Sequence, residues 1–292
     1  MKRYDNFVMG HISIDKNIYR GEAVKEIGGA VFYSSCASHA IGHKTGILTK
    51  LSFRDKNCLE EFTIPEEDIF ALNSGNTTSI RNIYYSEDRE RRTCTALSVA
   101  DPFTIDDIPN NITPQIYHFA GLISGEFDSE MIKFLHNKGK VALDVQGFLR
   151  TIEENEEMVF KEWGKKKEYL PCIDYLKTDA AEAEIMTGTK DRKKAAEILF
   201  GWGAKEIMIT HNKEVLIYNG KKHYTCPLKP KNLSGRTGRG DTCFSAYITE
   251  RLNKGVEEAL LFATALVSLK MEKPGPFKGT RDEVEDYIKK FY

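Results

Sequence analysis

The segment Ser234-Gly235-Arg236-Thr237-Gly238-Arg239-Gly240-Asp241-Thr242-Cys243-Phe244 places two glycines around one residue and then an aspartate. It runs at once into small and apolar residues that read as a helix. Amide N–H groups at such a loop-to-helix junction have no partner inside the helix, and with the helix dipole they make a seat for a phosphate or another anion. Gly238 and Gly240 allow the backbone to approach that anion closely. A carboxylate beside the seat can take the proton of an attacking hydroxyl. The backbone amides of Gly238, Arg239, Gly240 and Asp241 would meanwhile stabilise charge on a transferred phosphoryl group. Aspartate is also among the best helix N-caps, so these residues alone leave Asp241 as either a general base or a cap. The Gly-Lys-Ser/Thr of a P-loop is absent.

Other groups have chemistry to offer. Asp144 stands near the carboxyl end of an apolar run, with Gln146 and Arg150 close behind. Such a place suits either a ligand crevice beyond a sheet edge or an ion pair that braces a loop. Asp15 is either a substrate contact or an ordinary turn carboxylate. His39 and His43 share the i, i+4 spacing of metal ligands, but Gly42 interrupts the helix and no H-E-x-x-H motif is present. The basic runs at 165–167 and 89–92 are interleaved with acids and read as solvated faces. Cys243 lies near a helix start that could lower its pKa, although its small neighbours point to packing.

These groups need a frame. Residues 4–12 read as a buried strand, 30–41 as a buried helix stopped by Gly42, and 46–52 as the next strand. Residues 80–85 and 93–99 are β-rich and joined by a charged turn at 86–92, which predicts a hairpin projecting from the core. Strands are then expected at 117–122, 141–145, 173–177 and 206–210. Helices are expected at 129–137, around 153–167, at 180–187 and at 192–202. A meander at 214–218 and 223–227 leads into the glycine-rich loop, and helices at 241–253, 256–272 and 280–290 finish the chain. This alternation predicts a mostly parallel sheet covered on both faces. With no repeat or low-complexity linker, residues 1–292 read as a single domain, with lid strands inserted at about 12–27 and 75–101.

Composition narrows the classes. Of 292 residues, 41% are hydrophobic, and 42 Lys+Arg face 43 Asp+Glu, a net charge of −1. That is too apolar and too balanced for a disordered chain, and it supplies no basic face for nucleic acid. No apolar run is long enough for a membrane span. The six cysteines form no C-x-x-C pair, and the first residues lack a secretory pattern, so a reduced, cytoplasmic protein is expected.

Residues 236–241 with Phe244 resemble the C-terminal signature D-T-x-G-A-G-D-x-F of the PfkB (ribokinase-like) family of carbohydrate and nucleoside kinases. Other matches follow in order along residues 4–290. Gly10 and Asp15 resemble a G-x-x-x-x-D whose Asp holds acceptor hydroxyls, and Gly28-Gly29 the turn opening the helix that lines the sugar pocket. Asp179-Ala180-Ala181-Glu182 is similar to the N-x-x-E motif linked to magnesium and phosphate, and Thr210 to the end of a nucleotide-binding strand. Gly235 stands where the signature has its leading Asp, Arg236 where it has Thr and Arg239 where it has Ala. Tyr33 stands where such sugar kinases carry a hydroxyl-binding Asn, and His211-Asn212 replaces a Gly.

The resemblance implies a three-layer α/β/α ribokinase-like fold with a small β lid. It implies a kinase using ATP and Mg²⁺ to phosphorylate a hydroxyl of a small sugar or polyol, or of a nucleoside. Asp15, Gly28, Gly29 and Tyr33 would meet the acceptor, and Thr210, Asn212, Arg239 and Gly275 the nucleotide. Asp179 and Glu182 would hold the metal, through water. Lid edges would allow pairing into a homodimer. Two rival classes are a non-catalytic sugar or nucleotide sensor, which would have no chemical need of Asp241, and an NAD(P)-linked oxidoreductase, for which Gly28-Gly29 lacks the G-x-G-x-x-G spacing.

Overall fold

The computed structural model describes residues 1–85 and 92–292, so the charged turn expected at 86–92 and its arginines lie, apart from Arg92, outside the described residues. One nine-stranded sheet dominates, in the order His223–Pro227, Glu214–Tyr218, Glu206–Thr210, Tyr175–Asp179, Lys140–Asp144, Ile112–Phe119, Lys2–Met9, Thr45–Leu51 and Ile69–Asn73. The strands from Glu206–Thr210 to Ile69–Asn73 run parallel, and the two at the other edge are antiparallel. The inner strands carry continuous apolar runs, because helices bury them on both faces.

One face is covered by Glu130–His136, Ala180–Thr187 and Arg192–Gly201, through residues such as Met131, Met186 and Leu199. The other is covered by Ala30–Ala40, Arg239–Glu250, Val256–Lys270 and Arg281–Phe291. Ala30–Ala40 is buried along almost its whole length, which its small and apolar residues permit. It packs on Arg239–Glu250, and polar stitches fix the pair. Ser245 Oγ donates to Ser34 O at 2.6 Å, Ser34 Oγ to Asp241 O at 3.3 Å, and Asn6 Nδ2 to Ser245 Oγ at 3.2 Å.

A second, four-stranded sheet has the order Glu22–Gly28, Ser13–Tyr19, Ser79–Tyr84, Arg92–Ser98. Its central pair is parallel and its outer pairs antiparallel. Asn17 and Asn82 are register partners there, and Asn82 Nδ2 donates to Asn17 Oδ1 at 2.9 Å.

Three expectations need correcting. Residues 153–167 are not helical until the short turn Lys166–Tyr169. The strands Arg150–Ile152 and Met158–Phe160 form an antiparallel ribbon instead, linked to the small sheet by a bridge from Glu157 to Thr95. Within the basic run at 165–167, Lys166 is buried and bonded to Glu162 rather than solvated. The C-terminal helix expected from 241 starts at Arg239, and that two-residue shift matters for the chemistry. Among the described residues no helix is long and apolar enough to cross a membrane.

Candidate active site

Beyond the carboxyl ends of Lys140–Asp144, Tyr175–Asp179 and Glu206–Thr210, and under the small sheet, lies a cavity of about 560 Å³. Crevices at this edge of a parallel sheet are where open α/β folds place ligands. Residues from 15 to 241 converge on it, which is why their chemistry is scattered through the chain.

The glycine loop forms one end. Gly238 is the N-cap of Arg239–Glu250 at φ +73°, and a Cβ at this position would fall on the Tyr33 ring. Only glycine meets both demands. Because the helix begins at Arg239, Asp241 sits in its first turn, and its carboxylate caps no amide among the described residues. The cap reading is therefore removed. The side chain lines the cavity, 19% exposed, with the Lys177 ammonium 4.0 Å away. The amides of Gly238, Gly240 and Asp241 make no hydrogen bond among the described residues, so the loop and first turn present donors for an anion.

Lys177 is the residue that the sequence did not single out. It is register partner to Asp144 on the neighbouring strand, and its ammonium lies 2.5 Å from that carboxylate. Burial would push the Lys177 pKa down, but Asp144, Glu182 and Asp241 outweigh it and hold the ammonium protonated. Burial pushes Asp144 up, against the pull of Lys177. Of the two alternatives for Asp144 the ion pair holds: its carboxylate is buried behind Lys177 and does not line the cavity, whereas Gln146 and Arg150 do.

Asp179 and Glu182 line the cavity but also form a capping box. Glu182 N donates to Asp179 Oδ1 at 2.8 Å and Asp179 N to Glu182 Oε2 at 2.7 Å. Burial and the neighbouring Asp179 push Glu182 up to about 8, and Lys177 only partly offsets them. One oxygen of each carboxylate remains uncommitted by the box, a donor set that fits Mg²⁺ through water rather than by direct ligation. Among the described residues no group of three or more His, Cys, Asp or Glu could hold a metal ion. His43 binds Glu250 at 2.9 Å instead of pairing with His39, and burial pushes the Cys243 thiol up to about 12, leaving it inert.

Thr210 ends its strand at the cavity, and Arg239 Nη2 donates to Asn212 Oδ1 at 3.4 Å. Gly275 does not line this cavity. It lines a neighbouring one of about 650 Å³ on the far side of Tyr33. Tyr33 walls both, beneath Gly238, so it supports the loop as much as it faces an acceptor.

The other end is built by the small sheet. Asp15 accepts from Ile80 N at 3.2 Å, and a Cβ on Gly28 would come within 3.0 Å of its carboxylate, so the glycine pair and Asp15 interlock. Burial pushes the Asp15 pKa up. Asn17, Asn82, Tyr84, Arg92 and Arg150 complete this end. Arg92 Nη1 donates to Tyr84 OH at 3.1 Å, and Arg150 is buried. Of these, Arg150 was noticed from sequence as a candidate, whereas Arg92 was read as part of a solvated basic run and instead lines the cavity. Alternation in 13–19 and 79–84 was the available signal, since Asp15 with Asn17 and Asn82 with Tyr84 each share a strand face.

The pfkB family carbohydrate kinase model matches residues 70–282. A cytidine kinase of Thermococcus kodakarensis is 30% identical over 262 residues, covering 84% of this chain and 87% of its own. A pyrophosphate-dependent kinase in the ribokinase family, solved with a pyrophosphate analog and myo-inositol, is 34% identical with a TM-score of 0.85, over 96% of this chain and 99% of that one. Arabidopsis thaliana ribokinase, complexed with ribose and ATP, shares the fold at a TM-score of 0.77 and 17% identity, over 99% of each chain. With the glycine loop, the aspartate and the sheet order in place, these matches establish that the chain belongs to the pfkB family of carbohydrate kinases.

Proposed function

We propose that this kinase phosphorylates a hydroxyl of a small polyol or sugar, with Asp241 as the general base. The observation that carries the acceptor class is the polar end of the cavity, where Asp15, Asn17, Asn82, Tyr84, Arg92 and Arg150 offer donors and acceptors at many angles. A polyol satisfies such a surface, whereas a nucleobase needs a broad apolar or aromatic slot. The 34% identical neighbour, solved with myo-inositol, supports this reading, and the cytidine kinase keeps a nucleoside as the alternative.

The amides of Gly238, Gly240 and Asp241 would hold the transferred phosphoryl group, while that of Arg239, expected to join them, is taken by Arg236 O. Asp15 and the Gly28-Gly29 turn would orient the acceptor, and Thr210, Asn212 and Arg239 would face the donor. Mg²⁺, held through water at Asp179 and Glu182, would neutralise charge on the donor phosphates. ATP is the donor in this reading, the nucleotide with which Arabidopsis thaliana ribokinase was solved. A second reading replaces ATP by inorganic pyrophosphate. Arg236 and Arg239 both line the cavity beside the cradle, and guanidinium forks match phosphate oxygens in the absence of a nucleoside. The neighbours at 33–34% identity are named as pyrophosphate-dependent.

The small sheet would act as a lid that excludes water from the transfer. Exposed Val24 on its free edge strand Glu22–Gly28 would let it pair with a second copy. The deciding experiment is a product-release screen with ATP–Mg²⁺ and pyrophosphate–Mg²⁺ against polyols, pentoses, hexoses and nucleosides. Turnover on a cyclic polyol or sugar is expected. Turnover on nucleosides alone overturns the acceptor class, and none with any acceptor favours the sensor.

A further inference from the structure

Lys270 ends the helix Val256–Lys270 with its side chain buried, yet no carboxylate pairs with it among the described residues. Its ammonium instead donates to two backbone carbonyls of the glycine loop, Gly235 O at 2.6 Å and Thr237 O. The Tyr33 ring closes a third side, with its centroid 5.2 Å away. The surrounding chain is shaped to keep this contact. Gly235 N donates to Met271 O at 2.8 Å, and a Cβ at Gly235 would collide with the Lys273 carbonyl. Glycine here is what lets the loop lie against the helix end.

Peptide planarity gives the contact a consequence. Thr237 C=O and Gly238 N–H belong to one trans peptide unit and point in opposite directions. An ammonium that pins the carbonyl on one side of the loop therefore aims the Gly238 amide at the other, where the anion cradle opens. We propose that Lys270 is a positioning residue, a built-in cation that holds the 235–241 loop in its phosphate-binding shape from behind. Backbone carbonyls turned to a common centre are the ligands that a monovalent metal ion would otherwise take. The lysine supplies that charge covalently, so the loop needs no ion from solution. Burial costs the ammonium some of its basicity, lowering its pKa to about 8, while the Asp241 carboxylate opposes the drop.

This inference rests on the phosphate-cradle reading of the loop, so its test reads binding apart from turnover. Titration calorimetry with inorganic pyrophosphate and with ATP–Mg²⁺ as probes, on Lys270→Met and Lys270→Ala, should show affinity about ten- to hundredfold weaker than wild type, the range for hydrogen bonds to a charged group. Acceptor KM should stay within twofold. In Lys270→Ala, added ammonium, methylammonium or K⁺ should restore at least fivefold of the loss, and in Lys270→Met, where the side chain fills the space, it should not. Donor affinity within threefold of wild type in a folded Lys270→Met sinks the proposal, as does a loss in Lys270→Ala that no cation repairs. If neither variant folds, wild type decides. A rate unchanged when K⁺ and Na⁺ are exchanged for tetramethylammonium supports a built-in cation, and tenfold stimulation by K⁺ overturns it. Failure of the kinase reading looks different, since wild type would then release no product with any acceptor.

Discussion

The ammonium of Lys177 and the carboxylate of Asp144 lie 2.5 Å apart on adjacent parallel strands, with side chains only 6% and 2% exposed. Neither charge could be left alone at that depth, so each fixes the other's protonation and direction. The pair holds a positive charge 4.0 Å from Asp241, close to where negative charge would accumulate if Asp241 deprotonates a hydroxyl as proposed.

Lys177→Met should therefore do double damage. It leaves Asp144 buried without a partner, at a cost of about 3–5 kcal/mol in denaturant unfolding, and it lowers kcat. The double variant Lys177→Met/Asp144→Asn should be more stable than the two single losses would sum to. Strict additivity would show that the two side chains do not interact.

Asp241→Asn keeps the size of the side chain and the shape of the loop but cannot accept the acceptor's proton. A fall in kcat of about 10²- to 10⁴-fold is expected, with donor affinity by calorimetry within threefold of wild type. Near-normal turnover would remove the residue from the chemistry.

Asp15 sits at the other end of the cavity, and its loss should be felt by the acceptor alone. Asp15→Asn is expected to raise acceptor KM by about ten- to hundredfold, the range for a hydrogen bond to a charged group, with donor KM unchanged. Equal effects on both substrates would indicate a collapsed small sheet instead.

Stability should also depend on acid through Glu250, a carboxylate away from the cavity. Burial would raise its pKa, but hydrogen bonds from His43, Arg281 and Lys254 outweigh that and hold it at about 2. A depressed folded pKa stabilises the native state above the unfolded value of about 4.5 and loses that contribution as pH falls towards 2. Glu250→Gln should flatten the decline in melting temperature between pH 4.5 and 2. An unchanged acid profile would rule out this group as its source.

The glycine loop was legible because its chemistry is local. Gly238, Gly240 and Asp241 are near neighbours in the chain, and a backbone anion seat needs little else. That Asp241 is not the helix cap was not legible, since it turns on the helix beginning at Arg239 rather than at 241. Lys177 escaped notice because its meaning lies in a partner 33 residues upstream, which only strand register supplies. Lys270 looked like an ordinary helix-ending lysine, and its carbonyl partners come from a loop 35 and 33 residues earlier. The failed helix at 153–167 was overridden by tertiary structure. Its residues turn back on themselves, with Glu156 at φ +67°, to brace the small sheet through Glu157.

The serine stitches between Ala30–Ala40 and Arg239–Glu250 tie the helix that follows the Gly28-Gly29 turn to the helix that follows the glycine loop. Such a chassis has a fixed gauge, and a reactant of different size cannot be met by spreading its rails. On the proposed reading, choice among the hydroxyls of an acceptor would fall to the small sheet, whose Asn17 and Asn82 line the cavity at the end away from Asp241.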